Sequence, residues 1–145
     1  NLPFIFLILL IYLQIIMGAF VSGLDAGKIY QTWPMMGNTF FPGDTELSIN
    51  NLSDFNNHSL VQFYHRNLAY IILIYVLFIS ILIYKQKISF LYNPLKIFLL
   101  FLFLQIFFGI VTLVSGLNIY LASAHQITGV LLILSALNMY FLKSK

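Results

Sequence analysis

Four long apolar runs, separated by polar segments of unequal length, dominate the sequence. Each run has at least about 20 residues, the length that a helix needs to cross the hydrocarbon core of a bilayer. Backbone groups in lipid must be hydrogen-bonded within the protein, so such runs predict helices. The predicted spans are Phe4–Leu24, Leu60–Tyr84, Leu95–Leu117 and Leu121–Leu142.

The connections between the predicted spans differ in length. Residues 25–59, rich in Gly, Pro, Asn, Asp and Ser, predict a long external loop after the first span. The other two links are short, so we expect the third and fourth spans to form an antiparallel hairpin. The fold class that follows is all-α and integral to the membrane, a single domain over residues 1–145 that forms a four-helix bundle.

The composition narrows the function classes. Apolar residues make up 61% of the chain and charged residues only 8%, against about 25% charged in an ordinary soluble domain. This excludes a soluble globular enzyme, and the lack of apolar–polar alternation disfavours a membrane β-barrel. There is no cysteine for a disulfide or a thiolate metal site. We expect the chain to contact membrane lipid and not to bind nucleic acid.

The charges also predict an orientation. Basic residues are concentrated on the cytoplasmic side of membrane proteins. If both termini lie there, five lysines share that side, whereas two basic residues and all four acids lie on the other. The prediction is N-in and C-in. The inner residues are Lys85, Lys87, Lys96, Lys143 and Lys145, and the outer ones are Lys28, Arg66, Asp25, Asp44, Glu46 and Asp54.

Two sequence patterns occur twice in the same order. One is a glutamine followed four residues later by a glycine, and the other is a histidine followed four residues later by a small residue. Residues four apart share one helical face. A duplicated helix hairpin explains both patterns, although small residues also recur in membrane helices for close packing alone. The pairs are Gln14 and Gly18, His65 and Ala69, Gln105 and Gly109, and His125 and Gly129.

The histidines of this repeat are the candidate ligands. His65 and His125 are each predicted to lie about 6–8 Å inside the outer end of a span, so they share one depth in the bundle. Imidazole binds iron, and haem is often held between helices of a bundle. The alternatives are another metal, a proton relay, or two hydrogen-bonded histidines without a ligand. Zinc is disfavoured because no third ligand is evident. His58 is interpreted as a surface residue of the loop.

The residues around the histidines refine this hypothesis. Arg66 is predicted either to pair with a haem propionate or to extend its charge to the headgroup level. Ala69 and Gly129 would leave room for a flat macrocycle. No carboxylate lies within a span, since the only glutamate is Glu46 in the loop. The chain therefore offers a cofactor site but no catalytic acid or base, and we assign no catalytic residue.

Several segments resemble the haem A synthase family, and together they extend over essentially all 145 residues. The glycine-rich and Gln-Phe-x-His-Arg segments are specific to that family, whereas the Gln-x-x-x-Gly segments are not. The segments are Gly18-Ala19-Phe20-Val21-Ser22-Gly23-Leu24-Asp25-Ala26-Gly27, Trp33-Pro34-x-Met36-Gly37, Val61-Gln62-Phe63-x-His65-Arg66-x-Leu68-Ala69, Gln105-x-x-x-Gly109-Ile110-x-Thr112-Leu113 and Ala124-His125-Gln126.

The resemblance implies a function. Members of the family oxidise a methyl group of haem O to the formyl group of haem A for cytochrome oxidase. They have eight spans in two similar four-helix bundles, and this chain resembles the C-terminal bundle. There the resemblance implies a haem b with His65 and His125 as axial ligands of the iron. The substrate haem O and a catalytic glutamate belong to the N-terminal bundle, to which nothing in this chain corresponds.

The resemblance also implies a setting for the protein. We expect the chain to be about half of a larger oxidoreductase in a bacterial or mitochondrial inner membrane. A haem O synthase and an electron acceptor are its expected partners. Two other functions stay open, namely a stand-alone membrane b-type cytochrome for electron transfer and a haem-free assembly scaffold.

Overall fold

The protein is described by a computed structural model that covers residues 1–46, 48 and 52–145. Within these residues the chain is helical and no strand occurs, apart from an isolated bridge between Met36 and Thr39. Four of the helices are long and apolar enough to cross a membrane, which confirms the predicted fold class. They are α1 (Leu2–Gly23), α2 (His58–Lys85), α3 (Tyr92–Val114) and α4 (Ile119–Ser144).

The ends of the helices follow local sequence signals. The Asn57 side chain accepts a hydrogen bond from the Leu60 amide at the start of α2. Asn118 does the same for two amides at the start of α4, as expected of an N-cap residue. The helix α3 ends at Val114, three residues before the end predicted for the third span at Leu117. Gly116 has a φ of +76°, which an α-helix cannot continue.

The helices pair along the chain. α1 packs on α2 and α3 packs on α4, and the two pairs meet mainly where α1 contacts α4. The first pair is antiparallel, since the Tyr75 hydroxyl donates to the Pro3 carbonyl while Gln14 reaches His65. The molecule therefore consists of two helix hairpins placed side by side.

The buried side chains repeat between the hairpins. Three buried residues of α1 have the same spacing as three of α3, and three of α2 have the same spacing as three of α4. If the sequence is aligned with itself so that Gln14 matches Gln105, a stripe of three buried residues in α1 matches a stripe of three in α3. The alignment that matches His65 with His125 does the same for α2 and α4. The stripes are Phe4, Leu7 and Ile11; Leu95, Phe98 and Leu102; Ile72, Val76 and Ile79; and Leu132, Ala136 and Met139.

We expect a core substitution and a lipid-facing substitution in α3 to differ sharply. The Phe98 side chain is 0% exposed and that of Phe103 is 65% exposed. Phe98→Ala should lower the free energy of unfolding by about 3 kcal/mol, near the lower end of the range for soluble cores. Lipid is as apolar as the core, so the substitution costs packing contacts but no free energy of transfer from water. Phe103→Ala should leave the free energy of unfolding almost unchanged. Thermal unfolding in detergent measures both, and equal losses would contradict the described core.

Candidate functional site

The two histidines that the sequence singled out lie together inside the bundle. His65 projects from α2 and His125 from α4, with ring centroids 6.5 Å apart and ring planes at 79°. Metal–nitrogen bonds to imidazole are about 2 Å long, so two imidazoles on opposite sides of one metal have centroids roughly 6 Å apart. The observed separation fits one iron atom between the rings.

Each histidine contacts the glutamine of its own hairpin. Gln14 Nε2 lies 3.4 Å from His65 Nε2 and donates a hydrogen bond of 3.0 Å to the His65 carbonyl. Gln105 Nε2 lies 3.3 Å from His125 Nε2. Glutamine and histidine thus form the same pair in both hairpins, which gives the repeated glutamines the interhelical role expected of polar residues in membrane helices.

The repeated glycines allow the rings to approach the neighbouring helix. A Cβ atom on Gly18 would lie 3.2 Å from His65 Cε1, and one on Gly109 only 2.9 Å from His125 Cε1. The sequence marked both glycines but did not reveal that a histidine ring packs on them. The predicted use of Gly129 as space for a macrocycle differs from the structure, where its Cβ position lies 3.3 Å from the Gln105 amide nitrogen.

The hydrogen bonding of the two histidines is unequal. His125 Nδ1 lies 3.0 Å from the Gln105 carbonyl oxygen, whereas His65 Nδ1 is buried without a hydrogen-bond partner among the described residues. The Thr128 hydroxyl donates to Gln105 Oε1 at 2.6 Å, but Gln14 Oε1 is also without a partner. Sequence reasoning missed Thr128, although a threonine three residues after a candidate ligand was an available signal.

Arg66 donates hydrogen bonds to the backbone of the external loop, and its pairing with a haem propionate stays a prediction. Its guanidinium donates to the carbonyl oxygens of Thr32 and Tyr30, each at 2.8 Å, and to that of Met35 at 3.3 Å. Gln62, one turn earlier on α2, also donates to the Tyr30 carbonyl at 2.9 Å. Arg66 therefore fastens the external loop to α2 beside His65. Backbone acceptors of this kind leave no mark in a sequence.

A second anchor joins the loop to the start of α2. Asp44 accepts hydrogen bonds from the hydroxyls of Tyr30 at 2.9 Å and Ser59 at 2.6 Å. Burial acts to raise the pKa of Asp44, but the bonds from Ser59 and Tyr30 outweigh it and lower this pKa below its ordinary value. Burial, followed by the bond to Asp44, raises the pKa of Tyr30. The ionised carboxylate is thus the form that holds the loop.

The site offers few ligands besides the two imidazoles. The part of the chain that the structure describes contains no group of three or more His, Cys, Asp or Glu side chains placed to hold a metal ion. A closed zinc site needs four ligands and a catalytic one needs three. Two imidazoles from separate helices, with ring centroids 6.5 Å apart, suit a haem iron, whose other four ligands come from the macrocycle itself.

We expect the loop anchor to weaken in acid. Since the pKa of Asp44 is lowered from 3.8, its stabilising effect is complete at neutral pH and is lost as the pH falls below about 4. A nitroxide on Asn38→Cys should gain mobility over that range. In the same labelled protein carrying Asp44→Asn, the label should be mobile already at pH 7, and a label that responds to acid equally in both proteins would contradict the anchor.

We expect alanine substitutions of three α1 and α3 glycines to follow the space around them. Gly109→Ala should displace the His125 ring, Gly18→Ala should disturb His65 less, and Gly23→Ala should be tolerated because nothing lies within 4 Å of its Cβ position. Thermal stability and haem content of the purified protein measure the order. An effect of Gly23→Ala as large as that of Gly109→Ala would contradict the described packing.

Comparison with known proteins places the chain in a family. The COX15-CtaA family, described as cytochrome oxidase assembly protein, matches residues 2–137. Heme A synthase of Pelagibacter ubique is 43% identical over 143 residues, which cover 98% of this chain and 41% of that protein. Heme A synthases of Rickettsia felis and Rickettsia rickettsii are 35% and 33% identical, over 98% of this chain and 43% of theirs. No solved structure matches.

These matches confirm the family resemblance inferred from the sequence motifs. The chain spans less than half the length of the relatives named above. Its four apolar helices and this kinship make it an integral membrane protein. The chain belongs to the COX15-CtaA family of cytochrome oxidase assembly proteins.

Proposed function

We propose that this chain is the C-terminal four-helix half of a haem A synthase and that it binds a b-type haem through His65 and His125. The observation that carries the proposal is the pair of imidazoles from separate hairpins, with ring centroids 6.5 Å apart. Relatives that carry the name Heme A synthase match along nearly the whole chain, which supports the proposal.

The surroundings of the rings support a haem rather than a bare metal ion. The two nitrogens are the ligands that a bis-histidine haem requires. α2 holds His65 and α4 holds His125, and the glycines of α1 and α3 fix how closely each ring approaches the neighbouring helix. When bound, the haem supplies one-electron chemistry, and the protein sets its orientation and potential.

The name of the relatives implies an oxidation that this chain assists. Conversion of the haem O methyl group to the formyl group of haem A removes electrons from a carbon atom, and these electrons must be carried away. We assign that role to the haem b of this half. Substrate haem O and the oxidation itself belong to the other half of the enzyme, and a haem O synthase and an electron acceptor are proposed partners.

The location of the site follows from the proposed orientation. Five lysines at the inner ends of the helices support an N-in, C-in arrangement in a bacterial or mitochondrial inner membrane. His65 and His125 then lie toward the outer side of the bilayer. The external loop, fastened by Arg66 and Asp44, covers that end of α2. Haem propionates in this region would have to share Arg66 with the loop carbonyls.

Two alternatives each have an observation in their favour. Both proposed ligands lie in this chain, which would suit a stand-alone b-type cytochrome for electron transfer. Both histidines also have a glutamine amide near Nε2, which would suit a haem-free scaffold in which they are structural. A variant altered beside one of the two histidines that keeps its haem but no longer forms haem A would favour the synthase over the first alternative. Absence of haem after gentle purification would favour the second.

We expect the haem spectrum to depend on two of the three histidines. The protein purified in mild detergent should show a low-spin b-type spectrum, and His65→Ala or His125→Ala should abolish or strongly shift it. His58→Ala serves as the control, because His58 lies at the outer end of α2 and should leave the spectrum unchanged. A spectrum that survives both single ligand substitutions would exclude the proposed site.

A further inference from the structure

We propose that Gln14 and Gln105 are positioning residues that cap the iron-binding nitrogens of His65 and His125 until haem displaces them, and that Thr128 makes the Gln105 cap the tighter one. This inference rests on the proposed haem site. The repeat gives each histidine a contact with a glutamine amide, and Thr128 makes these two contacts unequal in strength.

The tautomer of His125 follows from its contact with the Gln105 backbone. Its Nδ1 atom lies 3.0 Å from the Gln105 carbonyl oxygen, and a carbonyl oxygen can only accept a hydrogen bond. Nδ1 therefore carries the hydrogen. In a neutral imidazole the other nitrogen, Nε2, then presents its lone pair. This is the nitrogen that a metal takes when Nδ1 donates to a carbonyl.

Each glutamine amide lies beside the Nε2 atom of its histidine. Gln105 Nε2 lies 3.3 Å from His125 Nε2, and Gln14 Nε2 lies 3.4 Å from His65 Nε2. An amide nitrogen can only donate, so Gln105 donates to the lone pair just derived. One lone pair cannot serve an amide hydrogen and an iron atom together. Binding of haem therefore requires each amide to leave its histidine.

The two glutamine caps differ in the partner of the amide oxygen. Thr128 donates to Gln105 Oε1 at 2.6 Å, a shorter contact than those of its hydroxyl with the carbonyls of Ala124 at 2.9 Å and His125 at 3.0 Å. The equivalent residue in the first hairpin, three residues after His65, is Leu68. Leucine has no hydroxyl, and Gln14 Oε1 is buried without a partner in the described structure.

The result is an ordered pair of ligands. To leave His125, Gln105 must also give up the Thr128 bond, whereas Gln14 has no such bond to lose. Gln14 also has a second acceptor in the His65 carbonyl at 3.0 Å. The Nε2 lone pair of His65 therefore becomes available to iron more readily, whereas that of His125 is capped more firmly by Gln105.

The test uses a pair of substitutions with opposite expected signs. Thr128→Val keeps the shape but removes the hydroxyl, so it should raise the haem affinity roughly 2- to 10-fold, the effect of one ordinary hydrogen bond. Leu68→Thr offers Gln14 Oε1 the missing donor, so it should lower the affinity by a similar factor. Thr128→Ser keeps the hydroxyl and should behave as the wild type.

The measurement is titration of haem into the haem-free full-length protein in detergent, followed by absorbance. A variant lacking both histidines, His65→Ala with His125→Ala, gives the contribution of other haem-binding regions. Metal-free protoporphyrin is the second probe. It has no iron to compete for the lone pairs, so its affinity should be the same in all three Thr128 and Leu68 variants.

The outcomes separate the two proposals. If the wild type binds no more haem than the double histidine variant, the proposed function fails. If the wild type binds haem but Thr128→Val weakens binding or leaves it unchanged, the capping proposal alone is overturned. Should Leu68→Thr fail to fold, the comparison of Thr128→Val with Thr128→Ser still decides, because a purely structural hydroxyl would make valine bind haem more weakly than serine.

Discussion

A polar side chain buried between apolar helices needs a hydrogen-bond partner from the protein, because lipid provides none. In this chain that requirement falls most heavily on His65 and His125. Gln14 meets it for one ring nitrogen of the first histidine, and Gln105 meets it for both ring nitrogens of the second. The placement of α1 against α2 and of α3 against α4 brings each pair together. The hairpin is thus the smallest unit in which a buried histidine has its partner.

Duplication of this unit creates a site that neither hairpin has alone. The buried stripes and the polar pairs repeat in the same order, and contact between α1 and α4 brings the two ring centroids to 6.5 Å from each other. The hairpins have nevertheless diverged. In the second, Thr128 and the Gln105 carbonyl give Gln105 Oε1 and His125 Nδ1 a partner. In the first, which carries Leu68 and the loop anchor Arg66, Gln14 Oε1 and His65 Nδ1 have no partner among the described residues. A pair of similar ligands has thereby become an unequal pair.

Much of this architecture could be predicted from hydrophobic pattern alone. The four helices, the paired histidines and the repeat all leave a periodic signal, since lipid exposure and burial act on every turn of a helix. The partners of Arg66 could not be predicted, because carbonyl groups of the loop are the same in every sequence. The last residue of α3 could not be predicted either, since Gly116 and Leu117 continue the apolar composition while their positive φ angles are incompatible with an α-helix. The N-in, C-in orientation stays a prediction from charge.

The named relatives are more than twice as long as this chain. In the proposed function the chain is one half of a haem A synthase, and its haem b would connect this half to an oxidation in the other. The most direct test is pulsed electron paramagnetic resonance of the ferric full-length protein labelled with ¹⁵N-histidine. We predict hyperfine couplings from two axial imidazole nitrogens in a low-spin haem, with the pair lost in both His65→Ala and His125→Ala. A paired-imidazole signal that persists unchanged in both variants would show that these histidines do not share an iron, and would contradict the account.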